Sequence, residues 1–244
     1  MNVRGFFRLR EWPRDPAERS AYVDFVFGSI APKYDLVSRL LSSWQDRRWK
    51  ARALCALPQN GSCRRLLDLA TGTGAFPVLL RRAGFTGEIV GLDRNGAMLA
   101  LAGRKCGARV RLIQGDLTCL PFTDASFDAI TMGYGLRYVE DTRGTLGGIY
   151  RLLRPGGVFV CLDFGLPDNR WYRSVCLGYL LLFGTLWGLI LHGRRDTYWH
   201  IVESLRAYPG QRALARWMEE AGFTDVRLMN QLWGISVIAR GSRL

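Results

Sequence analysis

The alternation of short apolar runs with helical segments constrains the fold of this 244-residue chain more than any other feature. Five runs are predicted to be buried strands, at residues 65–70, 87–93, 109–116, 127–133 and 157–164. The segments between them carry apolar residues at helical spacing, as in Leu146, Ile149 and Leu153. Strands that alternate with helices predict an α/β fold with a mostly parallel sheet and right-handed crossovers.

Three other segments complete the predicted organisation. Residues 1–57 are predicted to be an accessory segment, helical from about residue 15, which precedes a domain of residues 58–244. Residues 225–241 read as two short strands around a turn, which predicts an antiparallel edge hairpin. Residues 168–205 break the rhythm and are predicted to be an apolar cap insertion.

The insertion contains VCLGYLLLFGTLWGLIL, which has no charged residue. As a helix this run would be about 25 Å long, short of the roughly 30 Å hydrocarbon core of a membrane. A membrane span, a buried core helix and a cap over the substrate end of a pocket are the alternatives. We favour a mobile cap that touches a membrane surface, because the chain must return afterwards to complete the sheet. In that interpretation Gly178, Gly184 and Gly188 are hinges and the flanking arginines lie at the lipid headgroups.

A glycine-rich loop, LDLATGTGAF, joins the first strand to its helix. Gly72 and Gly74 let the backbone turn tightly and approach a ligand closely. In an open parallel sheet the ligand crevice lies at the carboxyl ends of the strands. Asp93 ends the second strand, where a carboxylate can accept both hydroxyls of a ribose, and Asp116 follows the third, near an adenine. The pattern fits S-adenosylmethionine or a dinucleotide, although Pro77 replaces the third glycine of a dinucleotide motif.

Composition limits the partners and the compartment. The formal net charge of +13 implies attraction to nucleic acid, an acidic membrane surface or a phosphorylated ligand, but a bias toward arginine in the source genome explains it more simply.

The six cysteines form no CxxC and the two histidines are not at ligand spacing, so no metal site is predicted. Cysteines in apolar runs predict reduced thiols and a cytoplasmic compartment. The basic, aromatic segment MNVRGFFRLREWPRD is either a surface-lying membrane contact or a frayed leader.

Longer blocks resemble a known family. With Asp68 inside the strand, LDLATGTG resembles the first motif of the class I S-adenosylmethionine-dependent methyltransferases. The blocks FGSIAPKYDLVSRLLSSWQDRRWK, GDLTCLPFTDASFDAITMGYGLRYVED, YRLLRPGGVFVCLDFGLP and TYWHIVESLRAYPGQRALARWMEEAGF resemble, in order, the ubiquinone/menaquinone biosynthesis C-methyltransferase family. The resemblance runs from about Phe25 to the C-terminus. It implies a Rossmann-like class I fold, S-adenosylmethionine (SAM) as cofactor, and methylation of a ring carbon of a demethylated polyprenyl quinol.

The glycine loop and the resemblance together predict the site residues. The predicted cofactor contacts are Asp68, Ala70, Gly72, Thr73, Gly74, Asp93, Asp116, Leu117 and Gly133. The resemblance implies that Tyr34 and Arg137 lie near the substrate ring. A guanidinium is a poor base because its pKa exceeds about 12, so Arg137 is expected to stabilise a developing phenolate or orient a water. The alternatives are a salt bridge of Arg137 with Glu140 or Asp141, and helix packing for Tyr34.

The substrate side is less defined. Tyr138 stands where the family usually has Asn, so another aromatic or prenylated natural product stays open as substrate. His192 and His200 are further substrate-side candidates for the proton acceptor, with a surface position as the alternative, and Asp163 is another candidate base. The expected partner is a lipid quinol, with peripheral contact to the inner membrane face and a homodimer as open alternatives. No nucleic acid is expected, because no RNA-binding module or base-flipping motif is found.

Overall fold

The computed structural model describes residue 13, residues 15–58, residue 61 and residues 63–244. The two interpretations of the basic N-terminal segment therefore fall almost entirely outside the described residues.

One sheet of seven strands organises the described part of the chain, and it confirms the predicted α/β fold. The strands are β1 (Arg65–Leu69), β2 (Glu88–Asp93), β3 (Arg111–Gln114), β4 (Phe127–Gly133), β5 (Leu153–Phe164), β6 (Thr224–Gln231) and β7 (Ser236–Ser242). Their order is β3-β2-β1-β4-β5-β7-β6. The first five strands pair in parallel, and β7 runs antiparallel to both β5 and β6, so the edge hairpin is also confirmed.

Helices cover both faces of the sheet. Those in the described residues are α1 (Pro16–Ile30), α2 (Tyr34–Leu41), α3 (Asp46–Cys55), α4 (Ala75–Arg82), α5 (Gly96–Cys106), α6 (Thr142–Leu152), α7 (Arg170–His192), α8 (Trp199–Ala207) and α9 (Gln211–Glu220). The side chains of β1 alternate between two apolar clusters, with Leu67 in one and Leu66 in the other. Central strands buried on both faces explain why their sequences are nearly continuous apolar runs.

The fifth strand begins earlier than predicted. The predicted strand begins at residue 157, but β5 starts at Leu153, which pairs with Phe127. The ladder then skips to a pair between Val158 and Ala129, so the intervening residues form an irregularity within the strand. Gly156, with a φ of +79°, supplies the backbone conformation that this irregularity needs.

The apolar run of the insertion lies in a helix that is longer than the run itself. Helix α7 has 23 residues and is therefore about 34 Å long. It is long and apolar enough to cross a membrane by length and composition alone, so the argument that the run is too short is wrong. The hinge prediction is also wrong for Gly184 and Gly188, which lie buried within one continuous helix. A Cβ at Gly188 would lie 2.5 Å from the carbonyl oxygen of Arg194, so this glycine permits close packing.

Helix α7 has one buried face and one exposed face. Phe183, Trp187 and Leu191 pack against a buried apolar cluster that includes residues of α1 and α2, such as Val26 and Val37. The opposite face is exposed, so the alternative of a buried core helix is wrong. Helix α7 packs against α2 and α8.

The N-terminal helical segment packs on the sheet through α3. Trp49 and Ala53 of α3 belong to the same buried cluster as Leu66 of β1 and Val160 of β5. We therefore propose that residues 1–57 form an accessory segment of the 58–244 domain, which carries residues 168–205 as an insertion.

Candidate active site

The glycine loop after β1 adopts the tight conformation that its sequence predicts. Ala70, Gly72 and Gly74 have φ angles of +50°, +54° and +79°. The Asp93 carboxylate, at the end of β2, accepts hydrogen bonds from the backbone N–H of Gly72 at 2.7 Å and of Asn95 at 2.8 Å. These bonds hold the loop against the end of the neighbouring strand and fix the orientation of the carboxylate.

Asp68 supports the loop from inside the sheet. Its Oδ2 accepts a hydrogen bond from the Thr71 hydroxyl at 2.6 Å, and its Oδ1 accepts one from the Thr131 hydroxyl at 2.7 Å. Burial raises the pKa of Asp68 to about 7, although both hydroxyls oppose that shift. Asp68 does not line the cavity described next, so its position is that of a loop support.

A cavity of about 430 Å³ lies at the carboxyl ends of β1, β2 and β4. Six of the predicted cofactor residues line it, namely Ala70, Gly72, Asp93, Asp116, Leu117 and Gly133. Thr118 donates two hydrogen bonds of 2.8 Å to Asp116, and these lower the pKa of that carboxyl against the effect of its burial. A cavity with two carboxylates at the ends of the neighbouring strands β2 and β3, and a glycine loop beside them at the end of β1, fits a nucleoside that carries an amino-acid chain.

Two further predicted residues support the loop without lining the cavity. The Thr73 hydroxyl donates a 2.6 Å hydrogen bond to Asp35 of α2. A Cβ at Gly74 would lie 2.7 Å from the sulfur of Cys106, so glycine is needed there for close packing on α5.

Helix α1 contributes a wall that the sequence analysis missed. Ser20, Val23, Asp24 and Phe27 line the cavity. They follow the spacing i, i+3, i+4 and i+7, so they share one face of the helix. Arg94 fastens that face to the loop after β2 through a 2.8 Å salt bridge with Asp24. The spacing of these four residues in the sequence indicates one helix face. Two of them, Ser20 and Asp24, are polar, so a search for apolar residues at helical spacing does not find this face.

A smaller inner cavity adjoins the first. Phe27, Tyr34, Tyr134 and Tyr138 line both cavities, so they stand at the junction. The rings of Phe27 and Tyr138 meet edge to face with centroids 5.2 Å apart, and those of Phe27 and Tyr34 are 6.0 Å apart. Arg137 and His200 also line the inner cavity, which is therefore aromatic with a few polar groups.

Two side chains hold the guanidinium of Arg137 in place by hydrogen bonds. Its Nε donates to Asp163 at 2.6 Å and one terminal nitrogen donates to the Ser204 hydroxyl at 2.5 Å. The alternative for Arg137, a salt bridge with Glu140 or Asp141, is wrong in its partner, because the salt bridge is to Asp163, and both side chains are only 2% exposed. Burial opposes ionisation, but the Asp163 carboxylate raises the pKa of Arg137 above its usual range, so the guanidinium stays charged.

The two histidines lie in different surroundings. His200 is 3% exposed, so the surface alternative is wrong for it. Burial lowers the pKa of His200 to about 4, and its Nδ1 lies 3.0 Å from the carbonyl oxygen of Thr197. That carbonyl can only accept, so the ring is neutral and Nε2 is the acceptor. His192 lines neither cavity; its Nε2 lies 2.8 Å from the hydroxyl of Tyr198.

The family can now be assigned. A profile of the ubiE/COQ5 methyltransferase family matches residues 16–243. This chain belongs to that family. Similar members include a demethylmenaquinone methyltransferase of Thermus thermophilus, 39% identical over 221 residues, which cover 89% of this chain and all of that one. The UbiE ubiquinone/menaquinone biosynthesis C-methyltransferase of Methylobacterium nodulans is 36% identical over 98% of this chain and 96% of its own length.

Solved structures of methyltransferases share the fold of this family member. A SAM-dependent methyltransferase from Thermotoga maritima has a TM-score of 0.65 at 19% identity, covering 90% of this chain and 99% of that one. A Haemonchus contortus N-methyltransferase in complex with S-adenosylhomocysteine has a TM-score of 0.62 at 15% identity, covering 97% and 60%. The chain is therefore a SAM-dependent methyltransferase with a Rossmann-like class I fold.

Proposed function

We propose that this enzyme transfers a methyl group from SAM to a ring carbon of a demethylated polyprenyl quinol. The supporting observation is the inner cavity, where Phe27, Tyr34 and Tyr138 surround a space that adjoins the cofactor cavity. Aromatic walls favour a flat ring, and Arg137 supplies a fixed positive charge beside it. The names of the relatives, which act on demethylmenaquinone or in ubiquinone and menaquinone biosynthesis, agree with this substrate class.

The residues of the inner cavity have separate tasks in this proposal. SAM, when bound, supplies an electrophilic methyl group. A ring carbon becomes nucleophilic when a neighbouring hydroxyl loses its proton. Arg137 stabilises the negative charge that develops on the ring oxygen, and its salt bridge with Asp163 holds the guanidinium in place for that task. Tyr34 donates a hydrogen bond to a ring oxygen, since burial raises its pKa and keeps it protonated.

The head group is the open part of this proposal, and Tyr138 bears on it most. Its ring packs against Phe27 and lies with its centroid 6.0 Å from that of His200. A tyrosine at this position presents a larger apolar surface than the family's usual Asn. We propose that Tyr138 and His200 contact the head group and that His192 acts only through Tyr198.

A substrate panel tests the proposed function. Purified enzyme with SAM is expected to methylate prenylated naphthoquinols or benzoquinols that lack the ring methyl group, under anaerobic reducing conditions. Mass spectrometry would locate the new methyl group on a ring carbon. Efficient methylation of an untailed aromatic metabolite, with no product from any prenylated quinol, would assign the enzyme to a different natural product.

We also propose that the exposed face of α7 contacts an anionic membrane surface, from which a lipid quinol would enter. The large apolar side chains that α7 exposes are Trp171, Val175, Leu182, Leu186, Leu189 and Ile190. At about 100° per residue they fall within a sector of about 100°. Arg170 at one end and Arg194 and Arg195 beyond the other are exposed and suit phosphate headgroups.

Two loops extend this apolar face. Trp233 is 82% exposed, and its ring meets that of Tyr172 on α7 edge to face at 5.8 Å. Trp44 is 63% exposed, and the neighbouring Ser43 hydroxyl lies 2.9 Å from that of Tyr179 on α7. Both tryptophans have a positive φ, which holds them outward at a conformational cost. Tryptophan is enriched where a membrane meets water, which favours a lipid surface as the partner.

Replacing Leu182 with Asp is expected to lower the affinity for vesicles of phosphatidylcholine and phosphatidylglycerol at least about tenfold, because a charge would enter the apolar contact. Vesicle sedimentation would measure this, and SAM affinity should not change. Leu244 provides the control, since it is exposed beyond β7 at the opposite end of the sheet, and Leu244→Asp should bind vesicles normally. If Leu182→Asp instead converts a dimer to a monomer and leaves vesicle binding intact, the face is a homodimer interface.

A further inference from the structure

Helix α3 places a buried carboxylate in the wall of the inner cavity. Asp46 is 7% exposed, and its Oδ2 forms a 2.9 Å salt bridge with Lys50, one helical turn later. Its Oδ1 is buried without a hydrogen-bond partner among the described residues. Within the part of the chain that the structure describes, Asp46 is also the only acidic residue that lines this cavity.

Tyr134 presents a second unpaired group at the same place. It follows β4, has a φ of +59°, and lines both cavities. Its hydroxyl is buried and interacts with the neighbouring Asp46 carboxylate, but it forms no hydrogen bond of normal geometry with a described residue. Burial, and then the nearby Asp46 carboxylate, raises the pKa of Tyr134 well above its usual value, so the hydroxyl keeps its proton. The Lys50 ammonium lies 5.6 Å from the centre of the Tyr134 ring.

Two neighbouring unpaired polar groups in a cavity wall point to a ligand group that pairs both. A buried donor or acceptor without a partner costs about 1–3 kcal/mol, so such groups persist where they have a use. Asp46 offers an acceptor and Tyr134 offers a donor. A phenolic hydroxyl matches them, because it donates one hydrogen bond and accepts another.

The other buried carboxylate near the site is directed elsewhere. Asp163 also has an unpaired oxygen, Oδ2, but it does not line the inner cavity. Its Oδ1 accepts hydrogen bonds from Arg137 and from the Phe164 backbone N–H. His200 also lines the cavity, but its Nδ1 is already paired with the carbonyl oxygen of Thr197. The buried, unpaired carboxylate oxygen in this wall belongs to Asp46, which makes Asp46 the best-placed proton acceptor.

We propose that Asp46 and Tyr134 hold one ring hydroxyl of the quinol and that Asp46 accepts its proton during methyl transfer. This inference rests on the proposed function and extends it. It leaves Arg137 to stabilise charge on the quinol, while Lys50 is a positioning residue that holds the second oxygen of the carboxylate.

The proton and electron balance of the step is complete with these groups. The hydroxyl proton moves to Asp46 as the ring carbon forms a bond to the methyl carbon. The carbon–sulfur bond of the methyl donor breaks, and the sulfur keeps the bonding pair as a neutral thioether. The ring, now a dienone, loses the hydrogen of the methylated carbon as a proton to water. Asp46 returns its proton to the ring oxygen, and the ring becomes aromatic again.

Asp46→Asn tests this inference. The change keeps the size of the side chain but removes the base, so kcat with a prenylated demethylnaphthoquinol is expected to fall about 100-fold or more at neutral pH. The rate of the variant should rise with pH more steeply than that of the wild type, because substrate that ionises in water bypasses the missing base. SAM affinity should be unchanged. The surface variant Asp168→Asn, which loses only an exposed salt bridge with Arg212, is the charge control.

Tyr134→Phe gives a second measurement that does not depend on turnover. It removes only the unpaired hydroxyl, so thermal stability should hold or rise, while affinity for the same quinol in the presence of S-adenosylhomocysteine should fall about tenfold in calorimetry. If the quinol affinity of Tyr134→Phe and the kcat of Asp46→Asn both stay within about twofold of the wild-type values, the inference is wrong and the proposed function stands. If wild-type enzyme methylates no prenylated quinol, both are wrong.

Discussion

Replacing Arg137 with Met is expected to lower the free energy of unfolding by about 3–5 kcal/mol and to slow methyl transfer at least about 100-fold. The stability loss follows because Asp163 would keep a negative charge at 2% exposure without its partner. The rate loss follows because the charge that develops on the ring oxygen would lose its stabilising cation. Urea denaturation and single-turnover methylation of a prenylated demethylquinol measure the two effects separately.

A double variant separates the structural role of Arg137 from its role in catalysis. In Arg137→Met with Asp163→Asn, neither charge remains, so the free energy of unfolding should recover to within about 2 kcal/mol of wild type. Methyl transfer should stay slow. Arg206→Met is the matched control, because Arg206 forms an exposed salt bridge with Glu203 and should change stability by less than about 1 kcal/mol. Recovery of activity in the double variant would show that Arg137 is only structural.

Replacing Asp93 with Ala is expected to weaken SAM binding at least about 100-fold. The Asp93 carboxylate lines the cofactor cavity and already holds the backbone N–H groups of Gly72 and Asn95. Each hydrogen bond from a ribose hydroxyl to a carboxylate contributes about 1.5–3 kcal/mol, so two of them correspond to at least that change in affinity. Isothermal titration calorimetry measures it directly.

Glu88 supplies the control for the Asp93 variant. It stands at the opposite end of the same strand, where it pairs with Arg65 at 2.9 Å. Glu88→Gln should bind SAM with wild-type affinity and should lose little stability, because the pair is partly exposed. Equal binding by Asp93→Ala and wild type would mean that the cofactor does not lie in the 430 Å³ cavity.

The sheet could be predicted because its central strands are short apolar runs, two of which, β2 and β4, end at Asp93 and Gly133. Burial on both faces makes the sequence signal strong, and the glycine loop after β1 adds its own conformational signal. The order of the strands in the sheet cannot be predicted from such runs, because every central strand has the same apolar pattern. The extension of α7 to Arg170 was missed because a polar first turn precedes the apolar run.

Site residues at the ends of strands could be predicted from the sequence, whereas site residues on helices could not. Asp93 and Asp116 follow strands, and all such positions meet at one edge of a parallel sheet. Asp46 and Lys50 were not predicted, because nothing in their local sequence shows that α3 packs against β5 and β7. The sequence left His200 open between a substrate-side and a surface position, because the rings of Phe27 and Tyr138 that pack against it come from distant parts of the chain.

The quinone content of cells that lack this chain tests the central claim most directly. Extracted quinones would be compared by mass spectrometry with those of the parent cells and of deleted cells that express the wild-type chain again. We predict that the deletion causes a quinone lighter by one methyl group to accumulate and that re-expression removes it. A quinone pool that is identical in deleted and parent cells would contradict the assignment of this enzyme to quinol methylation.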